Sequence, residues 1–139
     1  MEACCPTSHL KKLPYISAIL DRIEKRFNLK TGLVRIFKLP AGSKLPRHRD
    51  GSVSDLYSGK VCRLHIPIIT SPGVQFIIGN KSFYLEPGKL YFTNVSLPHF
   101  VINDSSVDRI HLIIDVHAND EIRTFIQESP EPDYVSWTK

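Results

Sequence analysis

His48-Arg49-Asp50 places an imidazole and a carboxylate two residues apart, and a third candidate ligand, His99, lies far downstream. In an extended chain, side chains two apart point the same way, with about 7 Å between their Cα atoms. Such a pair can grip one metal ion from one side. Two histidines and one carboxylate on one face of an octahedral ion leave positions open for substrate and dioxygen, which is the ligand set of non-haem Fe(II) oxygenases. An H-x-D match on its own is weak, so other residues must supply the support.

The six histidines are not equivalent. His9 falls in an irregular lead-in and reads as solvated, and His117 ends a strand and reads as surface. His48, His65, His99 and His111 sit in β-rich segments among apolar neighbours. Taken singly, each is more often a satisfied core or rim histidine than a ligand. The combination carries more. Arg63 and His65 share one face of their strand, Asn103 follows His99 by four residues, and Arg109 follows it by ten. A redox metal asks for neutral imidazole and hard carboxylate ligands. A dicarboxylate co-substrate asks for an arginine at its far end, because guanidinium pairs bidentately with carboxylate. Arg47 and Arg49 alternate away from the ligand face and read as a solvated edge.

At 139 residues the chain reads as one domain, residues 1–139, able to bury a sizeable core. A net charge of +4 is mildly basic, but the cations are scattered and not interleaved with aromatics, which argues against nucleic acid. Cys4, Cys5 and Cys62 make neither a disulfide framework nor a C-x-x-C pair. The opening residues lack a signal-peptide core, and no apolar run is long enough for a membrane span. The expectation is a cytoplasmic protein with no membrane partner.

The elements that must position these residues follow from periodicity. Ile16, Ile19, Leu20, Ile23 and Phe27 recur at helical spacing, so 14–27 reads as an amphipathic helix that covers a sheet. Short β-rich runs cut by Pro and Gly follow: 33–39, 45–50, 61–69, 74–78, 82–85, 90–95, 98–103 and 109–117. Pro67 inside the third run favours an edge or a bulge. Residues 51–60 read as a polar loop, 119–127 as a second helix, and 129–139 as a loose tail. Such strand spacing points to a mainly β sandwich or barrel. The 109–117 strand alternates Ile110, Leu112, Ile114 and Val116 on one face with Arg109, His111, Ile113 and Asp115 on the other, so a covered outer face backs a polar mouth.

Five segments appear in order: His48-Arg49-Asp50, Arg63-Leu64-His65-Ile66-Pro67-Ile68, Pro87-Gly88-Lys89-Leu90-Tyr91-Phe92, His99-Phe100-Val101-Ile102-Asn103 and Arg109-Ile110-His111-Leu112-Ile113-Ile114-Asp115-Val116. Over about residues 31–117 this order resembles the aspartyl/asparaginyl β-hydroxylase family of Fe(II)/2-oxoglutarate-dependent oxygenases. The animal enzyme has glycine at the Asp50 position and a shorter loop at 51–60, so the ligand pattern is more similar to the proline hydroxylase-like members. The resemblance implies a double-stranded β-helix (jelly-roll, cupin-like) fold with its core at about 31–117. It implies Fe(II) held by His48, Asp50 and His99, and the distal carboxylate of 2-oxoglutarate held by Arg109. It places Arg63, His65 and Asn103 in the co-substrate pocket. The implied activity is hydroxylation of an amino acid, a peptide side chain or a related small molecule, with succinate and carbon dioxide as co-products.

Other readings compete. His48-Arg49-Asp50 spells a kinase catalytic-loop tripeptide, but Asp55 stands where that motif needs Asn and no glycine-rich loop exists. A zinc hydrolase also uses two histidines and a carboxylate, yet leaves Arg109 and the Arg63–His65 pair unexplained. A cupin-like metal- or ligand-binding module without turnover is the non-enzyme alternative.

Overall fold

A computed structural model describes residues 8–50, 60–131 and 134–136. After a single helical turn at Leu10–Lys12, helix α1 spans Pro14–Phe27. Pro14 at its first position has its φ preset for a helix and no N–H to leave unpaired. The helix ends at Asn28, whose φ of 46° reverses the chain in the left-handed region. Glu24 then accepts from the backbone N–H of Thr31 at 2.9 Å and from its hydroxyl at 2.8 Å, which hands the helix on to the first strand.

Strands follow as β1 (Thr31–Leu39), β2 (Lys44–His48), β3 (Val61–Ile69), β4 (Val74–Ile78), β5 (Lys81–Phe83), β6 (Tyr91–Phe92), β7 (His99–Asn103) and β8 (Arg109–His117). Helix α2 spans Asp120–Glu128, and β9 covers Tyr134–Ser136. One sheet has the order β1-β8-β3-β6 and the other β2-β7-β4-β5-β9, with every pair antiparallel. The two sheets face each other as the walls of a double-stranded β-helix.

Two cores flank the first sheet. Leu20, Ile23 and Phe27 of α1 and Ile122 of α2 pack against Cys62, Leu64, Leu112, Ile114 and Val116 on its outer face. Between the sheets, Leu39, Val74, Phe76, Leu85, Val95 and Val101 form a second cluster. The expected covering of the 109–117 strand by a helix is therefore found, and both helices take part. Asn119 ties them together. Its Oδ1 accepts from the Ile122 N–H at 3.0 Å as the α2 cap, while its Nδ2 donates to the Phe27 carbonyl at 2.7 Å.

Two differences from the sequence expectations have physical causes, and the expected irregularity at Pro67 is found. The 90–95 run shortens to Tyr91–Phe92, which pair with His65 and Leu64 of β3, and beyond them Thr93 adds a single bond to the Arg63 carbonyl at 3.2 Å. Pro67 marks a bulge: the β3–β8 register shifts between Pro67 and Ile69, and β6 has already ended there. The tail is not wholly irregular, since Tyr134–Ser136 pairs with β5, whose outer edge would otherwise leave backbone groups unpaired. Residues 51–59, with most of the expected loop, and Cys4 and Cys5 lie outside the described residues.

Replacing Asn119 with Ala should lower unfolding free energy by about 1–2 kcal/mol, the range for lost helix caps. Urea denaturation checks this, and unchanged stability would remove the helix-tying role.

Candidate metal centre

Strand β2 pairs with β7, and His48 lies directly across from His99. That register sets the two imidazole rings 4.2 Å apart between centroids. Asp50 sits just past the end of β2, its N–H donating to the Val95 carbonyl at 3.1 Å. Its Oδ1 lies 3.4 Å from His48 Nε2 and its Oδ2 lies 3.9 Å from His99 Nε2. Each residue presents one donor atom, and all three donor atoms fall within 4.8 Å of one another. This is the one group of three or more His, Cys, Asp or Glu side chains so placed among the described residues.

The ring orientations suit a metal. His48 Nδ1 lies 2.7 Å from the Pro46 carbonyl, and His99 Nδ1 lies 2.9 Å from the Leu97 carbonyl. A carbonyl only accepts, so each Nδ1 carries the proton and each Nε2 lone pair is left facing Asp50. Metal-ligating histidines are held in this way by their second nitrogen. Burial lowers the pKa of His99, with the neighbouring His48 adding to the shift against the raising effect of the Leu97 hydrogen bond. The residues present fit an ion bound by two neutral imidazoles and a carboxylate.

Beside the triad is a cavity of about 140 Å³, whose walls include His65, Phe76, Arg63 and Arg109. Two larger clefts of about 760 and 600 Å³ lie against α1 and α2, away from the triad. Chemistry rather than size selects the small one.

Arg109 is 2% exposed, yet among the described residues it has no carboxylate within ion-pair reach. Its Nη2 donates to His111 Nδ1 at 2.9 Å, its guanidinium lies 5.7 Å from the Phe76 ring centre, and its Nε has no partner. Burial lowers its pKa to about 10, which leaves it charged at neutral pH. Because Arg109 can only donate, His111 accepts through Nδ1 and carries its proton on Nε2. His65 Nδ1, 3.2 Å from the same atom, is then the second donor, which leaves His65 Nε2 bare. Both His65 Nε2 and His111 Nε2 are buried without partners. A buried cation, a bare His65 nitrogen and an unpaired His111 N–H near the candidate triad describe a place for a polar ligand.

Two expected pocket residues behave differently. Arg63 is buried but already engaged: its Nε and Nη2 donate to Asp115 at 2.7 and 2.8 Å, and its Nη1 donates to Asp50 Oδ2. Asn103 is not part of the cavity wall. Its Nδ2 donates to the carbonyls of Leu39, Pro40 and Val107, and its Oδ1 accepts from Ser105, so its amide fastens the β7–β8 turn to the end of β1. Four-residue spacing from His99 could not separate these roles, because the turn folds Asn103 back onto β1. Asp115, buried at 6% exposure, was visible in the sequence only as a polar residue on the inner face of its strand.

The model of the family described as aspartyl/asparaginyl beta-hydroxylase matches residues 3–119. The chain belongs to that family. A curated relative, the L-proline cis-4-hydroxylase of Rhizobium meliloti (strain 1021), is 26% identical over 123 residues, covering 88% of this chain and 42% of the relative. The chain thus spans less than half the length of that enzyme. Among solved structures, a non-heme monooxygenase, the ThoJ–Ni complex, has a TM-score of 0.52 at 19% identity, covering 73% of this chain and 50% of that one. A predicted oxalate decarboxylase from Thermotoga maritima has a TM-score of 0.47 at 16% identity, covering 70% and 72%. Among the described residues, no helix is long and apolar enough to cross a membrane.

The neutral histidines make acid stability a direct test. Burial holds His65 well below the usual histidine range, with His111 and Arg109 adding to the shift, and burial beside Arg109 takes His111 to about 3. The unfolded chain takes up both protons below about pH 6.5 while the folded chain does not, so stability falls as pH falls. Between pH 6 and 4, unfolding of chelator-treated protein should take up about two protons from this pair, near 1.4 kcal/mol per pH unit each. Urea titrations at stepped pH read the slope, and a flat profile would contradict the neutral assignment. Asn103→Ala should reduce stability by about 1–3 kcal/mol, because its amide groups bind buried backbone; unchanged stability in urea denaturation would contradict that fastening role.

Proposed function

We propose that the protein is an Fe(II)- and 2-oxoglutarate-dependent hydroxylase acting on an amino acid, a peptide side chain or a related small molecule, with succinate and carbon dioxide as co-products. The observation that carries this reading is the buried Arg109, with no carboxylate partner among the described residues, sharing a small cavity with His48, Asp50 and His99. A zinc hydrolase needs the triad but not a buried cation beside it. A dicarboxylate co-substrate needs both, one end at the ion and the other at a guanidinium.

Each residue then has a defined task. His48 and His99 hold the ion through Nε2, with their Nδ1 protons fixed on backbone carbonyls. Asp50 supplies the anionic ligand that a divalent ion prefers. Arg109 binds the distal carboxylate, and His111 turns the guanidinium by accepting from Nη2. His65 and Phe76 wall the space between. Loaded with Fe(II) and 2-oxoglutarate, the centre would activate dioxygen for insertion of one oxygen atom into a substrate C–H bond. Amino acids are the first substrates to test, because the matched relative is a proline hydroxylase.

Anaerobic protein given Fe(II) and 2-oxoglutarate should develop a visible charge-transfer band. On admission of oxygen it should form succinate with at least one member of an amino-acid panel that begins with L-proline. Absence of both would refute the reading. Arg109→Ala should weaken 2-oxoglutarate binding tenfold or more, given about 1.5–3 kcal/mol for a hydrogen bond to a charged group. Metal content should stay near that of the parent, and unchanged 2-oxoglutarate affinity would remove the role of Arg109.

A further inference from the structure

Arg63 is engaged on two sides, and both partners are carboxylates. Through Nε and Nη2 it holds Asp115 in a fork at 2.7 and 2.8 Å, and through Nη1 it holds Oδ2 of Asp50. Burial works against its charge, yet hydrogen bonding and attraction from Asp115, then from Asp50, keep its pKa above the ordinary arginine value. Arg63 and Asp115 face each other directly in the β3–β8 register, and both are buried. Asp50 comes from the other sheet, beyond the last residue of β2, and its side chain is about one-fifth exposed. A rigid cross-strand pair therefore reaches across the sandwich to a carboxylate at a strand end.

We infer that Asp115 is a positioning residue for the metal centre. By filling the forked side of Arg63 it aims Nη1 at Oδ2 of Asp50, so that Asp50 offers the ion one oxygen, Oδ1, and no second. This rests on the reading of His48, Asp50 and His99 as metal ligands.

Two consequences follow from geometry and charge. A carboxylate that binds through one oxygen occupies one position on the ion, whereas two-oxygen binding would consume a position that a chelating co-substrate needs. Arg63 blocks the second oxygen. Charge explains why Arg63 needs its own partner. Arg63 with Asp50 alone would be neutral and would blunt the attraction of that carboxylate for a cation. With Asp115 the trio carries a net charge of −1, so Asp50 is held in place while the site stays attractive to a divalent ion. Such outer partners commonly set metal affinity, and their loss costs about 10–100-fold.

The test uses Co(II), which is stable to air on the time of the measurement and reports its coordination in the visible spectrum. Asp115→Asn should weaken Co(II) binding tenfold or more, because Arg63 then neutralises Asp50 unopposed, and the visible spectrum should shift as Asp50 loses its fixed orientation. In an Asp50→Ala background the same substitution should change Co(II) affinity less than twofold, because its effect runs through Asp50. An equal loss in both backgrounds, or a folded Asp115→Asn protein with parental affinity and spectrum, would overturn the proposal. If circular dichroism shows that Asp115→Asn does not fold, the pair is replaced whole by Arg63→Met with Asp115→Leu, since apolar replacement of a complete buried ion pair is often tolerated. That double variant should show the same Asp50-dependent loss, and parental affinity would refute the inference. Parental protein that binds no Co(II) at all would instead defeat the assignment of the triad.

Discussion

The pairing of β3 with β8 is the constraint on which the rest of the molecule depends. Successive residues of a strand point to opposite faces, so one stretch of chain can serve two environments. On the outer face, Cys62, Leu64, Leu112, Ile114 and Val116 meet the apolar stripes of α1 and α2. On the inner face, Arg63, His65, Arg109, His111 and Asp115 converge between the sheets, all buried. A one-residue slip would exchange these sets and put the charges under the helices. The helices thus hold the register that builds the site from the outer face of the sheet.

Burying three charged groups so close together needs compensation, and the site divides it unequally. Arg63 and Asp115 answer each other with two hydrogen bonds in good geometry, and Arg63 has a third for Asp50. Arg109 is left with one neutral acceptor, His111, and an unbonded Nε. A buried cation with no carboxylate partner among the described residues costs stability, a cost that an anionic ligand would offset. His65 and His111 stay neutral in this setting, because another positive charge beside Arg109 would add to that cost.

Much of this was legible in the residues taken in order. Strict alternation in 109–117 foretold two unlike faces, and the apolar stripe of 14–27 foretold a helix on one of them. The H-x-D spacing and His99 named three ligands that the β2–β7 register then brings within reach of one another. The family resemblance puts Asn103 in the pocket, but three backbone carbonyls hold its amide at the β7–β8 turn. Arg63 shares a strand face with His65, which is correct, yet face alone does not say which partner a guanidinium takes.

What the sequence determined by itself was the type of each residue, the face it occupies and the chemistry its type permits, because these depend on local periodicity and composition. Only the tertiary structure decided which polar groups are already satisfied. That depends on residues far apart in the chain: Arg63 on Asp115 across a strand pair, Asp50 on Arg63 across the sandwich, Arg109 on the lack of a carboxylate within ion-pair reach among the described residues. Hydrogen bonds act over about 3 Å, and no spacing along a chain reports a distance that short between strands of two different sheets.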